Sequence, residues 1–304
     1  MRYRSYGIEG RAISSIAVQL DDPRGSGSRD LWRDRVRRSL AHGVNAFEVV
    51  TGSQALAEGL GDELALRDRA QTILSWRIRS AGRESISGLD IAEAVEQALD
   101  WTGLTFLDQL MLEWDVYRTL EPGAWDVLSG FARAGAFERL GIVGGEQAVD
   151  LCLTDRRFRA VKTFYDIVEN PVLRRKVGEA ARMDVVVMAR AFFGKPAEES
   201  VLGRTFMSEL GDFLSLTPKV EQKKKTPVLD FLKTTPGWTP EEVTLSCLLA
   251  DPSVATGVVE TLDDRHIGSL AISTERDLPG AVTAQLEIAR TAGARLDPRR
   301  SGRR

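Results

Sequence analysis

Four polar residues stand at or just after the ends of apolar, strand-like runs: Glu48, Ser53, Arg77 and Glu113. A carboxylic acid in such a place is a general acid or base when its surroundings raise its pKa. Arginine stays charged, so it attracts a carboxylate but does not shuttle protons. Two interpretations remain open: Glu113 is a catalytic acid, or Arg77 lies between two carboxylates and neutralises a site without catalysis. We favour the second, because charge clusters are only indirect signs of catalysis.

Other residues that support nucleophilic or metal chemistry are few. Ser53 needs a nearby base to become a nucleophile, and neither His42 nor His266 falls at a predicted strand end. Cys152 and Cys247 are the only cysteines, and they form no Cys-x-x-Cys or Cys/His cluster. This spacing predicts no metal site and suits a reducing compartment.

Composition and charge narrow the class of protein. Of the 304 residues 43% are hydrophobic, which is enough for a large buried core, and the net charge of −3 gives no global basic field for nucleic acid. The longest apolar runs are too short to cross a bilayer. Residues 1–6 lack the apolar segment of a secretory signal. We therefore expect a cytoplasmic protein.

Eight short apolar runs predict the strands that position the polar residues. Most of them do not alternate polar and apolar residues, which is typical of strands buried on both faces. The runs cover 13–20, 44–50, 72–78, 106–112, 140–143, 160–165, 184–189 and 254–259.

Segments of helical period lie between these runs. They cover 30–42, 53–66, 90–103, 125–134, 146–153, 173–181 and 240–249. Alternation of strand and helix over this length predicts a closed α/β barrel of the (β/α)8 TIM type, in a single domain over 1–304. An open, doubly wound sheet is the alternative, but no Gly-x-Gly-x-x-Gly follows the first run.

Two segments depart from this alternation. Residues 194–227 predict a long loop between strand seven and its helix, ending near the basic run 223–225. Its apolar residues suit a lid on the barrel or, if exposed, a surface for a protein partner. They are Phe206, Met207, Leu210, Phe213, Leu214 and Leu216. Residues 297–304 form a basic tail that we expect to be disordered.

Several segments resemble the aldo-keto reductases, in the family's order over nearly the whole chain. Residues 1–14 are similar to the family's N-terminal hairpin and first strand, and Gly-Val-Asn-Ala-Phe-Glu at 43–48 is similar to its second strand. Residues 99–108 resemble the entry into strand four, and residues 125–142 resemble the helix and strand five. The resemblance implies a barrel with an N-terminal hairpin and NAD(P)H-dependent carbonyl reduction.

The family's four catalytic residue types are all changed. By resemblance the Asp falls on Glu48, the Tyr on Ser53, the Lys on Arg77 and the His on Glu113. In the family the Tyr donates a proton to the carbonyl while hydride arrives from nicotinamide. A serine hydroxyl is a weaker acid on a shorter arm. The resemblance therefore implies a pseudoenzyme without catalytic residues.

The family's cofactor positions are changed as well. The Ser-Asn pair and the Gln that hold the nicotinamide amide fall on Val143, Gly144 and Lys162, and the aromatic residue under the ring falls near Ala189. The loop that faces the pyrophosphate is still similar to the family's. It is represented by Arg190, Ala191, Phe192 and Gly194. Arg190 either forks onto a phosphate or is a solvent-facing charge.

The loop that reads the adenine ribose falls on five residues after strand eight: Glu260, Thr261, Leu262, Asp263 and Asp264. Its carboxylates would repel the extra phosphate of NADPH but accept hydrogen bonds from a free ribose hydroxyl. We therefore expect NAD(H) in preference to NADP(H). In the alternative interpretation Asp263 and Asp264 only cap the next helix, and the two roles are compatible.

Together these features predict a regulator that binds NAD(H) and acts through a protein partner. The degenerate site is similar to that of oxidoreductase-like regulators of alphaproteobacteria, which act on the division protein FtsZ and on a cell-cycle histidine kinase. Two alternatives stay open. One is an active NADH-dependent oxidoreductase that uses Glu113 or Lys162 as its acid, and the other is a scaffold that binds no cofactor.

Overall fold

Eight parallel strands close into a barrel, and an antiparallel hairpin precedes them. The computed structural model describes residues 1–8, 10–80, 82–165, 171–190 and 234–295. The hairpin strands are β1 (Tyr3–Tyr6) and β2 (Arg11–Ser14). The barrel strands are β3 (Ile16–Asp21), β4 (Ala46–Thr51), β5 (Ile73–Ile78), β6 (Leu107–Glu113), β7 (Phe137–Gly144), β8 (Phe158–Phe164), β9 (Val186–Arg190) and β10 (Thr256–Val259).

Each barrel strand is followed by at least one helix. The helices are α1 (Arg29–Ala41), α2 (Gln54–Ala65), α3 (Gly88–Thr102), α4 (Trp114–Thr119), α5 (Pro122–Arg133), α6 (Glu146–Thr154), α7 (Pro171–Arg182), α8 (Pro240–Leu249), α9 (Asp264–Ser273) and α10 (Gly280–Arg295). Because β10 pairs with both β9 and β3, the sheet has no free edge. The predicted (β/α)8 barrel and hairpin are confirmed. The predicted loop at 194–227 and the tail at 297–304 lie outside the described residues.

Two predicted strand boundaries were wrong. The run 13–20 is divided, because β2 ends at Ser14 and the barrel strand begins at Ile16. The Ser14 hydroxyl donates to the Ile16 carbonyl, and its backbone N–H donates to Oδ1 of Asn45, which fixes the corner. The run 184–189 is shifted, because Asp184 lies in the turn before β9 with a φ of 64°.

Local capping chemistry sets several helix ends. In α3 the Ser87 side chain accepts from the Asp90 N–H while the Asp90 side chain accepts from the Ser87 N–H, which makes a capping box. The same helix ends at Gly103, whose left-handed φ of 64° suits glycine. Thr239 and Glu242 repeat the capping box at α8. These signals are short in sequence, so they mark the helix ends without reference to any long-range contact.

The barrel interior is packed rather than hollow. Ala17, Met111, Met188 and Val258 belong to one buried cluster inside the ring of strands. A side chain at Gly141 would clash with the sulfur of Met111, so glycine at this strand position makes room for the large residue opposite. Polar residues replace this apolar packing toward the carboxyl ends of the strands, which is where the candidate site lies.

The hairpin closes the opposite end, which we call the base. Tyr6 is buried there, and its hydroxyl donates to the Asp108 carbonyl at 3.2 Å. The guanidinium of Arg139 lies over the Tyr6 ring and bonds to the Asp184 carboxylate at 3.1 Å. The fully buried Asp108 carboxylate accepts from Arg11 at 2.6 Å. These contacts join the hairpin to the strand starts, so access to the interior is left to the other end.

Candidate functional site

Four charged side chains form one connected group at the carboxyl ends of β4, β5, β6 and β8. Arg77 donates to Oε1 of Glu48 at 2.5 Å and to Oε1 of Glu113 at 3.5 Å. Lys162 donates to Oε2 of Glu48 and to the amide oxygen of Gln19, the latter at 2.8 Å. We call Glu48, Arg77, Glu113 and Lys162 the mouth network. Arg77 therefore lies between two carboxylates, as the favoured interpretation of the sequence requires.

Burial and pairing act in opposite directions on Glu48. Its side chain is fully buried, and burial by itself raises the pKa of a carboxyl. The charges of Lys162 and Arg77 outweigh that effect and hold the pKa of Glu48 below its ordinary value. Glu48 is therefore ionised at neutral pH, and it is not the protonated acid that carbonyl reduction requires.

The pKa of Lys162 is lowered as well, and in a lysine a lowered pKa favours the neutral form. Burial and the charge of Arg77 lower the pKa of its amine more than Glu48 raises it, so the pKa falls to about 8. A lysine with a pKa near 8 exchanges a proton close to neutral pH. Within the mouth network, Lys162 is therefore the group best suited to move a proton.

Ser53 has a structural role. Its hydroxyl donates to Oδ2 of Asp22 at 2.6 Å and accepts from the Leu56 N–H at 3.2 Å, so it caps α2. Asp22 also accepts from the Trp32 indole at 3.2 Å. Burial raises the pKa of Asp22, but these hydrogen bonds hold it below its ordinary value. Ser53, which the resemblance to the aldo-keto reductases assigns to a tyrosine position, thus secures a loop and the start of α2.

The structure describes all four tyrosines of the chain, and each lies in surroundings other than the mouth network. Tyr3 donates to the Gly43 carbonyl, and Tyr6 is held at the base. Tyr117 packs in an aromatic group with Trp114, Trp125 and Phe158. Tyr165 donates to Asp251 at 2.5 Å. None of these hydroxyls hydrogen-bonds to the mouth network.

The nicotinamide end of a dinucleotide fits this mouth poorly. Val143 offers only an aliphatic side chain at the end of β7, and Gly144 offers none. The Lys162 ammonium, at the third predicted amide position, is already bonded to Glu48 and Gln19. Val143 and Gly144 therefore supply no side-chain partner for a carboxamide, and Lys162 has only one N–H beyond its bonds to Glu48 and Gln19.

The nicotinamide-ring position that the resemblance puts near Ala189 stays a prediction, but the Ala189 side chain itself faces away from the mouth. Ala189 packs in the core between barrel and helices, while Met188 belongs to the interior cluster. Because side chains alternate along a strand, Arg190 shares the inward orientation of Met188. The sequence predicts Arg190 in the loop after this strand, but Arg190 is the last residue of β9. Ala191, Phe192 and Gly194 lie outside the described residues.

Two residues that the sequence predicts to contact a dinucleotide, Arg190 at the phosphates and Glu260 at the ribose, form an ion pair with each other. The Arg190 guanidinium donates to Oε1 of Glu260 at 2.6 Å and lies 5.1 Å from the centre of the Phe164 ring. Both charged side chains are one-third exposed. We call Arg190 and Glu260 the rim pair. An anion arriving here has to compete with Glu260 for Arg190.

The predicted adenine-ribose loop leads into α9. Asp263 caps that helix by accepting from the His266 N–H at 2.9 Å, so the capping role is confirmed for this residue. Asp264 instead contacts Nε2 of His42 at 3.0 Å. Thr261 accepts from the Asp263 N–H through its hydroxyl. Both aspartates thus have partners within the protein.

A groove lies beside this loop, between α1 and α9. Its volume is about 450 Å³, and charges of both signs surround it. Its lining comprises Leu31, Asp34, Arg35, Arg38, Leu262, Asp263, Asp264, Arg265 and Ile267. The groove offers an apolar surface at Leu31 and Leu262 together with charged groups, which suits a flat polar ligand such as a nucleoside.

Sequence reasoning missed Gln19 and Asp22. Both come from β3 or follow it directly, and each bonds to a residue that the sequence did single out. Strand parity was the available signal, because Gln19 lies opposite Glu48 in the register of β3 and β4. Among the described residues no group of three or more His, Cys, Asp and Glu is placed to hold a metal ion. No described helix is long and apolar enough to span a membrane.

No protein-family model matches the chain, and no curated protein matches it. Solved structures do. The holo form of an aldo-keto reductase from Bacillus halodurans is 15% identical, with a TM-score of 0.68, and the match covers 95% of this chain and 96% of that one. Its apo form gives 0.67 at the same identity and coverage. An aldo-keto reductase from Klebsiella pneumoniae in complex with NADPH is 15% identical, with a TM-score of 0.65 and 95% coverage of both chains. The chain therefore has the fold of the aldo-keto reductases.

Proposed function

We propose that this protein is an aldo-keto reductase homologue that no longer reduces carbonyls and instead binds NAD(H) as a regulatory ligand. One observation carries the loss of catalysis: the mouth network pairs its own charges, while Ser53 caps α2 and bonds to Asp22. A carbonyl in this mouth would meet no phenol, because none of the tyrosines reaches it. Arg77 cannot replace a lysine that lowers the pKa of such a phenol, since it is committed to two carboxylates.

The proposed ligand is held by its adenosine and phosphate end. Support comes from the groove beside Leu262, Asp263 and Asp264, and from Arg190, whose ion pair with Glu260 is one-third exposed and therefore within reach of an anionic ligand. The carboxylates of the adenine-ribose loop favour a free ribose hydroxyl over a phosphate, hence NAD(H) over NADP(H). The solved relative from Klebsiella pneumoniae binds NADPH, so a nicotinamide dinucleotide suits this fold in general.

The regulatory part of the proposal is that the bound dinucleotide changes the protein's affinity for a protein partner. Binding of a dinucleotide biases the loops of the mouth only if it binds two arrangements with different affinity. The proposed partners are FtsZ and a cell-cycle histidine kinase, by resemblance to the alphaproteobacterial regulator KidO. The proposed compartment is the cytoplasm, where these partners act.

One observation favours a second candidate function. Lys162 is buried at the end of β8 with a pKa of about 8, so it exchanges a proton near neutral pH. An oxidoreductase that uses Lys162 as its acid is therefore the alternative. It differs from the first proposal in requiring measurable turnover, and Lys162→Met would abolish that turnover.

Thermal unfolding with NADH, NADPH, NAD⁺ and NADP⁺ tests the proposal, because a ligand of the native state raises the melting temperature by mass action. We expect NAD(H) to raise it and the NADP(H) pair to do so less. Loss of nicotinamide absorbance with a panel of aldehydes and ketones would instead support the oxidoreductase. If none of the four dinucleotides changes the melting temperature, both proposals fail and a cofactor-free scaffold remains.

A binding measurement with the two proposed protein partners then tests the regulatory part of the proposal. Purified FtsZ and the kinase domain are each measured for binding with and without NADH. We expect the affinity for at least one of them to change with the dinucleotide. Equal binding with and without NADH, or no binding at all, would contradict the regulatory proposal. The proposal that the protein binds NAD(H) would be unaffected.

A further inference from the structure

A second pocket lies at the base, at the far end of the barrel from the mouth network. Its volume is about 220 Å³, and it is formed where β1, the end of α8 and the segment between α9 and α10 meet. Three of its lining residues are arginines, and one, Asp277, is acidic. The lining comprises Arg2, Arg4, Ser15, Ser246, Leu249, Ala250, Thr274, Arg276, Asp277, Leu278 and Thr283.

Arg4 is held in place by backbone carbonyls and not by a carboxylate. Its guanidinium donates to the carbonyls of Leu249, Asp251 and Val254, the last two at 2.9 and 2.6 Å. Burial lowers the pKa of Arg4, the charge of Asp251 raises it, and the nearby Arg2 lowers it again. Arg4 is thus a partly buried cation that feels a second cation beside it.

Arg276 is fixed in a similar way. It donates to the Gly237 carbonyl at 2.8 Å, and its guanidinium lies 3.9 Å from the centre of the Trp238 ring. Glu242 is its nearest carboxylate, at 3.9 Å. Arg2, the third arginine, donates to Asp277 at 2.8 Å. Each guanidinium is oriented by these bonds and still has N–H groups without a protein partner.

Ser246 adds an independent observation. It lies on the pocket wall, its residue is 9% exposed, and its hydroxyl has no hydrogen-bond partner. A buried hydroxyl without a partner costs about 1 to 3 kcal/mol. Such groups in native proteins call for an explanation by a bound water or ligand. Its oxygen has almost no accessible surface, so a ligand in the pocket would satisfy it only after a small shift of the pocket wall.

We propose that this basal pocket binds a phosphate group, either free or on a small phosphorylated metabolite. Arginine N–H groups and a hydroxyl are donors that suit phosphate oxygens, and pre-oriented guanidinium groups bind them in forked geometry. A volume near 220 Å³ admits a small molecule but not a nucleotide with its base fully enclosed. The site is separate from the mouth and does not depend on the proposed function.

The test uses inorganic phosphate as the probe, with sodium chloride at the same ionic strength as the reference. Phosphate is expected to raise the melting temperature of the full chain, and isothermal titration is expected to give one saturable site. Arg276→Gln should weaken phosphate binding about tenfold, since it removes a charge-assisted donor. Arg175→Gln, an exposed arginine on α7, is the matched control and should leave binding unchanged.

Ser246→Ala separates a binding role from a purely structural one. Removing an unpartnered buried hydroxyl should raise the melting temperature without phosphate, and it should also weaken phosphate binding severalfold. Phosphate binding unaffected by Arg276→Gln and Ser246→Ala would overturn the proposal, as would the absence of a phosphate effect beyond chloride. Comparison of inorganic phosphate with small phosphorylated sugars then shows whether the pocket prefers free phosphate or phosphate carried on a metabolite.

Discussion

Lys162 and Glu48 form an ion pair inside the barrel, although their strands lie on opposite sides of the barrel. In the closed order of strands, β8 and β4 are four places apart in either direction. Both side chains are almost completely buried, and Arg77 bonds to the same carboxylate. Charges this far from water are stabilised mainly by one another. The pair therefore links two halves of the barrel at the level where a catalytic site would need freely available groups.

Replacing Glu48 tests how much the mouth network depends on its central carboxylate. Glu48→Gln leaves Lys162 and Arg77 buried without their shared anion, so we expect a loss of about 3 to 5 kcal/mol in the free energy of unfolding. Urea denaturation at neutral pH measures it. Glu58→Gln, which removes a partly exposed partner of Arg29, is the control and should cost at most about 1 kcal/mol. Equal effects of the two substitutions would contradict the dependence.

The dependence of stability on alkaline pH reports on Lys162. Its pKa is about 8 in the folded state and ordinarily 10.5, so between these values the unfolded chain binds more protons. Stability contributed by Lys162 should therefore rise as the pH rises from about 8 to 10.5, by on the order of 1.4 kcal/mol per unit of depression. The unfolding free energy of wild type minus that of Lys162→Met should therefore increase over this range.

A matched lysine gives the control for that measurement. The pKa of Lys176 is raised, through hydrogen bonds to Asp150 and Glu146. Its stabilisation is complete below the ordinary lysine pKa and is lost only above it. The difference between wild type and Lys176→Met should thus stay level from pH 8 to 10. If the stability difference between wild type and Lys162→Met is also independent of pH over this range, the pKa of Lys162 is not lowered in the folded protein.

Ser53 is predicted to be a cap and not a nucleophile. Ser53→Ala removes the bond to the Leu56 N–H and the bond to Asp22, so we expect a loss of about 1 to 2 kcal/mol. Ser28→Ala, at the cap of α1, should cost a similar amount because it makes the same kind of bond to Leu31. Thermal or urea denaturation compares them. A neutral Ser53→Ala would mean that the cap is replaced by solvent.

Restoring the family's phenol should not restore carbonyl reduction. Ser53→Tyr supplies a proton donor, but Arg77 stays bonded to Glu48 and Glu113 and cannot act as the lysine that lowers a tyrosine pKa. We expect no consumption of NADH with aldehyde substrates. The double variant Ser53→Tyr with Arg77→Lys is the informative comparison. Turnover by the single variant would show that the mouth needs only a phenol.

The rim pair predicts opposite effects of its two members on dinucleotide binding. Glu260→Gln frees Arg190 from its carboxylate, so binding of an anionic dinucleotide should become several times tighter. Arg190→Gln removes the cation and should weaken binding by a similar or larger factor. Titration calorimetry with NADH measures both. If the two substitutions change the affinity in the same direction, Arg190 does not contact the ligand's phosphates.

Local patterns in the sequence determined the barrel itself. Apolar runs, helical periods and glycines such as Gly103 act over a few residues, so the order of strands and helices could be derived without any long-range contact. The same local information showed which residue types stand near the strand ends, whereas the prediction that Glu48, Ser53, Arg77 and Glu113 replace a catalytic set came from resemblance to the aldo-keto reductases. The corner at Ser14 and the shift at Asp184 escaped it, because both depend on contacts between elements.

Only the tertiary structure decided which charges meet. Lys162 pairs with Glu48 across 114 positions of the chain, and Arg190 pairs with Glu260 across 70. These contacts depend on closure of the barrel and on the register between strands, which turns Arg190 inward and Ala189 outward. A residue type predicts what a side chain is able to do, whereas its partner, its burial and therefore its pKa are set by what the fold places beside it.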